Sequence, residues 1–164
     1  MSLRLRRSAR IFLFDQSGDV LLIRFVAPRD DGPFVCWVTP GGEVEPGEAD
    51  RAAAERELFE ELGIRPELIG PVHEESGGTY THLGETVNNF DVFFAAVCGR
   101  EEPKLQGVTA DEIALMAEMR WWPVEELRGT RELVFPGRLA EIAPRVWRSL
   151  GAKAPFRGRG LWKG

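Results

Sequence analysis

Gly42-Glu43-Val44-Glu45-Pro46-Gly47-Glu48-Ala49-Asp50-Arg51-Ala52-Ala53-Ala54-Glu55-Arg56-Glu57-Leu58-Phe59-Glu60-Glu61-Leu62-Gly63-Ile64 reads as a tight glycine turn followed by a helix. The last turns of that helix crowd three glutamates onto one face. At about 100° per residue, Glu60 falls near −60° and Glu61 near +40° from Glu57, so the three carboxylates share a patch roughly 100° wide. Like charges at these spacings repel. Nothing in the next turn neutralises all three, so the arrangement asks for a divalent cation. Ligation by oxygen alone, rich in carboxylate, suits Mg²⁺ or Mn²⁺ rather than zinc.

The helix is well specified. Ala54, Leu58 and Leu62 recur at i, i+4 and i+8 and form an apolar stripe beside the acidic patch. Ala52 and Phe59 add a second apolar edge, which predicts a helix packed between two layers. Gly63 caps the C-terminus and Pro66 prevents continuation. Glu48 and Asp50 fall in the first turn by this reading, where acidic side chains favour the positive end of the dipole. Arg56, four residues before Glu60, is placed to hold that carboxylate and offset part of its charge.

An acidic helix face alone is most often just a solvated face. What lifts this one is the rest of the segment. Gly42, five residues, Glu48, seven residues, Arg56-Glu57-Leu58, one residue, Glu60-Glu61, one residue, then Gly63-Ile64 resembles the signature of the Nudix hydrolases at every defined position. A weaker resemblance extends to Trp37-Val38-Thr39-Pro40 before it and to Arg120-Trp121-Trp122-Pro123-Val124-Glu125-Glu126-Leu127 after it.

The resemblance implies an α/β protein, an α/β/α sandwich around a mixed β-sheet, that hydrolyses the phosphoanhydride of a nucleoside diphosphate linked to another group. That group ranges in the family over nucleoside triphosphates, nucleotide sugars, ADP-ribose and dinucleoside polyphosphates. The resemblance makes Glu57, Glu60, Glu61 and the Gly42 carbonyl the metal ligands, with Arg56 beside them and Glu48 structural. Gly42, having no side chain, lets its carbonyl approach an ion. Hydrolysis needs charge neutralised on the phosphate oxygens and an oriented water. The base that takes the water's proton varies within the family: Glu57, Glu61, Glu112 and Glu118 are the candidates here. Capping is the simpler explanation of Glu112, and a solvated strand end that of Glu118. Trp37 and Tyr80 are candidate contacts to the nucleoside, against a prior of core packing for each. Homodimers are common in the family, and no feature of the sequence decides the point.

The composition is that of an ordinary globular chain: 164 residues, 43% hydrophobic, 29% charged, net charge −5. Between Glu43 and Glu61 eight acidic residues stand against two arginines, a local net of −6. Phosphates of a nucleic-acid duplex would be repelled there unless a metal reversed the sign, so a small nucleotide is the expected partner rather than nucleic acid. Cys36 and Cys98 lie in apolar runs and read as buried free thiols, with a disulfide between them dependent on strand geometry. No apolar run reaches the length of a membrane span, and Ile11-Phe12-Leu13-Phe14 is too short for a signal peptide. The expected location is the cytoplasm, with no membrane partner.

Along the chain, strands are expected at Ala9–Phe14, Val20–Val26, Phe34–Val38, Leu68–Glu75, Val87–Cys98 and Arg120–Val124. Helical spacing with a capping-box pattern runs from Thr109 to Ala117, and Gly137 to Leu150 reads as a closing amphipathic helix. Residues 1–150 are expected to form one catalytic domain, and 151–164 a flexible basic, glycine-rich tail. Two rival functions share the same fold. A nucleotide-binding sensor of this kind usually lacks box carboxylates, all of which are present. An isoprenoid diphosphate isomerase needs a reactive cysteine with a carboxylate partner.

Overall fold

A computed structural model describes residues 3–82, 84–107 and 110–151, apart from the side chains of His82, Asp111, Glu112 and Ile113. The elements run β1 (Arg4–Phe14), β2 (Val20–Ala27), β3 (Phe34–Val38), β4 (Gly41–Glu43), α1 (Asp50–Leu62), β5 (Ile69–His82), β6 (Glu85–Val97), α2 (Ala110–Leu115), β7 (Met116–Trp122), α3 (Val124–Gly129), β8 (Val134–Phe135) and α4 (Leu139–Leu150). The strands form one sheet in the order β5-β6-β1-β2-β3-β8, with β4 against β1 and β7 against β2. The β1–β6 and β3–β8 pairs are parallel and the others antiparallel, so the sheet is mixed, as expected.

The continuous apolar runs of β1 and β6 follow from burial on both faces. Ala9, Ile11 and Leu13 of β1 point to one core, with Val92, Phe94 and Ala96 of β6 and Ala53, Ala54, Leu58 and Leu62 of α1. Phe12 and Phe14, with Phe93, Ala95 and Val97, point to the other, which Leu127 of α3 and Leu139, Ile142, Ala143, Val146 and Leu150 of α4 close. Helices therefore cover both faces of an α/β/α sandwich. Among the described residues, no helix is long and apolar enough to cross a membrane.

Several elements differ from the sequence reading. The helical spacing from Thr109 is cut at Leu115, and Met116 onward forms a strand (Thr109 itself lies outside the described residues). Pairing with β2, which sets Met116 opposite Phe25 and buries it against the α1 side, outweighs the local helical pattern. Val124 begins α3 instead of ending a strand, because Pro123 takes the extended N-cap position and Glu125 and Glu126 favour the helix start. The second apolar edge of α1 is not packed: Ala52 is exposed and Phe59 is 43% exposed under the Arg65 guanidinium, so α1 buries one side only. Apart from Gly151, the basic tail lies outside the described residues.

Cys36 and Cys98 are both buried and free, so the disulfide alternative does not apply. Burial raises both thiols, Cys98 to about 12. At pH 8 the native chain should therefore resist alkylation by iodoacetamide, and both thiols should label once urea unfolds it, as mass spectrometry would read.

Helix α1 is tied to the sheet at its first turn by Arg7, which donates to both carboxylate oxygens of Asp50 at 2.7 Å. The guanidinium holds the Asp50 carboxyl below its ordinary value of 3.8. A carboxyl lowered in the folded state stabilises the fold above its unfolded value, and that stability is lost as pH falls through the folded one. The urea midpoint of the wild type should exceed that of Arg7→Met at pH 7, and the gap should close below pH 3.8.

Candidate active site

The turn before α1 is built for close approach. Gly41 has φ +135°, and a Cβ there would lie 2.3 Å from the Ala9 carbonyl oxygen. Its N–H donates to Glu61 Oε1 at 2.7 Å, across twenty residues of sequence. A Cβ on Gly42 would lie 2.5 Å from Cδ of Glu57 and 2.6–2.7 Å from its two oxygens. The two glycines thus seat two of the three clustered carboxylates directly on backbone. Glu61 is only 7% exposed, which for a carboxylate calls for strong partners.

Helix α1 is held at both ends. Ala49 is the N-cap without a side-chain hydrogen bond, and Gly63 closes the C-terminus in the left-handed region, its N–H donating to the Phe59 carbonyl. Lys104 and Gln106 donate their N–H groups to the carbonyls of Leu62 and Glu61, satisfying the last turn from a distant loop.

Arg56 is the hub. Its Nε and Nη2 donate to the two Glu48 carboxylate oxygens at 2.9 and 3.0 Å, and Nη2 also to the Glu43 carbonyl at 3.0 Å. Its Nη1 donates to Glu57 Oε1 at 2.9 Å and to Glu60 Oε2 at 3.3 Å, which places the expected contact with Glu60. The Glu48 and Glu57 bonds raise the guanidinium above its ordinary range despite partial burial, so it stays charged. Arg56 in turn holds the Glu48 carboxyl low. Glu48 lies just outside α1 rather than in its first turn, and also accepts from the Glu45 N–H.

One guanidinium among four carboxylates leaves the cluster strongly negative. Among the described residues, no three side chains of His, Cys, Asp or Glu are already arranged around a metal position. One oxygen each of Glu57 and Glu60 is turned to Arg56, and one of Glu61 to the Gly41 N–H. The donor set itself suits a hard cation: carboxylate oxygens, with a glycine where the cradle would not admit a Cβ.

Trp37 and Glu118 lie on the sheet face opposite α1. Trp37 is 3% exposed and packs edge-on against Trp122 at 5.2 Å, in the α4-side core, so it offers no stacking surface in this conformation. Tyr80 is 38% exposed near the tip of the β5–β6 hairpin, opposite Val87. Glu118 is exposed and pairs with Arg24 at 3.9 Å. Its neighbour in β7, Met119, faces the α1-side core, which turns Glu118 to the opposite face of the sheet from α1. Glu112 belongs to α2, and its side chain lies outside those described.

Arg10 and Asp91 went unread in the sequence. Arg10 reaches the glycine turn from β1, donating to the carbonyls of Thr39 and Gly41. The available signal was an arginine set into the apolar run that follows it.

The match to the NUDIX domain model spans residues 4–145. Among curated proteins, the chain is 45% identical over 64 residues to an RNA pyrophosphohydrolase of Roseobacter denitrificans, 39% of this chain and 38% of the relative. It is 33% identical over 114 residues to an isopentenyl-diphosphate Delta-isomerase of Streptomyces griseus, 65% of this chain and 56% of the relative. The aligned parts thus span between about two fifths and just over half of those relatives' length. Among solved structures, the MutT protein of Methanosarcina mazei superposes with a TM-score of 0.63 at 22% identity, covering 91% of this chain and 97% of that one, a likeness of fold. With the family match running through nearly all of the sheet and α1, the chain belongs to the Nudix family.

Proposed function

We propose that this chain is a divalent-metal-dependent hydrolase of a phosphoanhydride in a nucleoside diphosphate linked to a further group, releasing a monophosphate. The observation that carries the reading is the seating of Glu57 against Gly42 and of Glu61 on the Gly41 N–H. An acidic face that merely solvates a helix does not need two adjacent glycines to make room for it. Glu57, Glu60 and Glu61, with the Gly42 carbonyl, would hold Mg²⁺ or Mn²⁺ once the carboxylates turn from Arg56. Such an ion, when bound, neutralises charge on phosphate oxygens and lowers the pKa of a coordinated water.

The chain's own groups do the rest. Before an ion binds, Arg56 gathers Glu57 and Glu60 and limits their mutual repulsion. Glu61, buried and fixed on the Gly41 N–H, is the best-oriented candidate to accept a proton from the attacking water, ahead of Glu57. Glu118, on the opposite face from α1, is the weakest. An RNA pyrophosphohydrolase and a CTP pyrophosphohydrolase among the relatives support a phosphoanhydride in a nucleotide as the substrate class.

The Streptomyces relatives bring in a second reading, isomerisation of an isoprenoid diphosphate. It needs a reactive thiol, whereas Cys36 and Cys98 are 6% and 2% exposed and both thiols are raised by burial. A nucleotide sensor is disfavoured because every box carboxylate is retained. The test is a panel of nucleoside triphosphates, nucleotide sugars, ADP-ribose, dinucleoside polyphosphates and isopentenyl diphosphate, assayed with Mg²⁺ and with chelator. Chelator-sensitive release of a monophosphate from one nucleotide class supports the hydrolase. Binding without turnover indicates the sensor, and conversion of isopentenyl diphosphate alone the isomerase.

A further inference from the structure

We infer that Arg10 is a positioning residue for the acidic site: from β1 it clamps the two peptides that flank Pro40-Gly41, and so fixes the N–H that holds Glu61 and the glycine on which Glu57 rests. The inference rests on the reading of Glu57 and Glu61 as acting carboxylates.

Three successive carbonyls enter the glycine turn, and all three are taken by β1. The Pro40 carbonyl accepts from the Ile11 N–H at 2.9 Å. The Thr39 and Gly41 carbonyls on either side of it both accept from Arg10 Nη1, at 3.2 and 3.4 Å. Both bonds leave the same nitrogen, Nη1, while Nε on the other side of the guanidinium faces Asp91, a division of donors between two nitrogens that the single ammonium of lysine lacks. Backbone pairing places Arg10 opposite Gly41, and Ala9 opposite Gly42. Because neighbouring side chains on a strand alternate, Arg10 works from the sheet face opposite α1, while the Ala9 side faces it. Gly41 holds φ +135°, which glycine adopts freely and a side chain would not, and a Cβ there would lie 2.3 Å from the Ala9 carbonyl oxygen and 2.7 Å from the Arg10 Cα.

Arg10 is itself held. Its side chain is 19% exposed, and its Nε lies 3.6 Å from Oδ1 of Asp91 on β6. That Oδ1 is buried and has no hydrogen-bond partner among the described groups, so the Arg10 charge is its compensation. The chain of contact runs from Asp91 through Arg10 to the Thr39 and Gly41 carbonyls, then through the Gly41 N–H to Glu61. By strand alternation Arg10 and Asp91 both lie on the sheet face opposite α1, so their effect on its acidic face is indirect.

The test begins with full-length, metal-free protein labelled with ¹⁵N, read by amide hydrogen exchange. In Arg10→Met the Gly41 amide should exchange at least about tenfold faster than in wild type, while β1–β6 ladder amides change less than about twofold. Asp91→Asn, a milder change that guards against misfolding of the first variant, should speed Gly41 selectively as well. In turnover assays kcat should fall ~10–100-fold with KM nearly unchanged, the range for losing a group that orients a ligand. Arg10→Lys should restore little of it. In a Glu61→Gln background, Arg10→Met should cost far less, since its route to the site is already cut. Gly41 exchange that is unchanged, or that rises only together with the ladder, overturns the inference, as does full additivity with Glu61→Gln. A wild type that cleaves no nucleotide would instead refute the hydrolase reading, while the exchange result would still decide whether Arg10 fixes the turn.

Discussion

Glu61→Gln is expected to lower turnover by ~10²–10⁴-fold, the span associated with loss of a positioned acid or base, while circular dichroism and melting stay near those of the wild type. The two halves of this expectation come from the same contact. Glu61 is almost buried, and its Oε1 accepts the Gly41 N–H at 2.7 Å. Glutamine preserves an oxygen at that position, so the hydrogen bond and the packing of α1 survive. What it removes is a negative charge and a proton acceptor, which matter only if the cluster works on an ion or a water. Were the acidic face simply a solvated surface, removing one of several repelling charges would leave the protein unharmed or slightly more stable. Steady-state assays on the nucleotide that the wild type cleaves, alongside thermal melts, distinguish these outcomes. Full activity in Glu61→Gln would remove this residue from the mechanism.

Gly42→Ala should separate function from stability in the opposite way to Gly41→Ala. The methyl at position 42 would meet the end of the Glu57 side chain at 2.5–2.7 Å, and a flexible side chain can swing aside. The fold should lose no more than about 1 kcal/mol, whereas displacing a site carboxylate should cost ~10–100-fold in kcat. The methyl at position 41 would instead meet the backbone of Ala9 and Arg10 at 2.3 and 2.7 Å, and alanine is strained at φ +135°. That variant should lose at least ~1–3 kcal/mol of stability, and its lowered urea midpoint would show it. Equal effects of the two substitutions on stability would mean that Glu57 is not free to yield, and that the glycine pair serves packing alone.

The acidic helix was legible because its information is local. Spacing over four turns fixes which side Leu58 and Leu62 bury, and Gly63 and Pro66 mark its end. The turn was legible from its glycines, although the sequence does not show that Gly41–Glu43 also pairs with β1 as a strand. The support beneath the turn was not legible. Arg10 and Asp91 are 81 residues apart in sequence and meet only through the parallel β1–β6 register, which sets Ser8 beside Asp91. In sequence, Arg10 reads as one of four N-terminal arginines. The error at Phe59 has a related cause: helical periodicity shows that a side chain could be buried, not that another layer is present to bury it. At Trp37 the prior of core packing describes what is seen, since its ring packs on Trp122 in the α4-side core. The two-residue strand β8 is too short to leave a pattern.

The most direct measurement is anomalous diffraction from crystals soaked with Mn²⁺ and a non-hydrolysable nucleotide diphosphate analogue. The account predicts a manganese peak bonded to oxygens of Glu57, Glu60 and Glu61 and to the Gly42 carbonyl, at metal–oxygen distances of about 2.0–2.3 Å, with a phosphate oxygen completing the shell. Glu57 and Glu60 still paired to Arg56, with nucleotide bound and manganese absent from the cluster or lodged elsewhere, would contradict it.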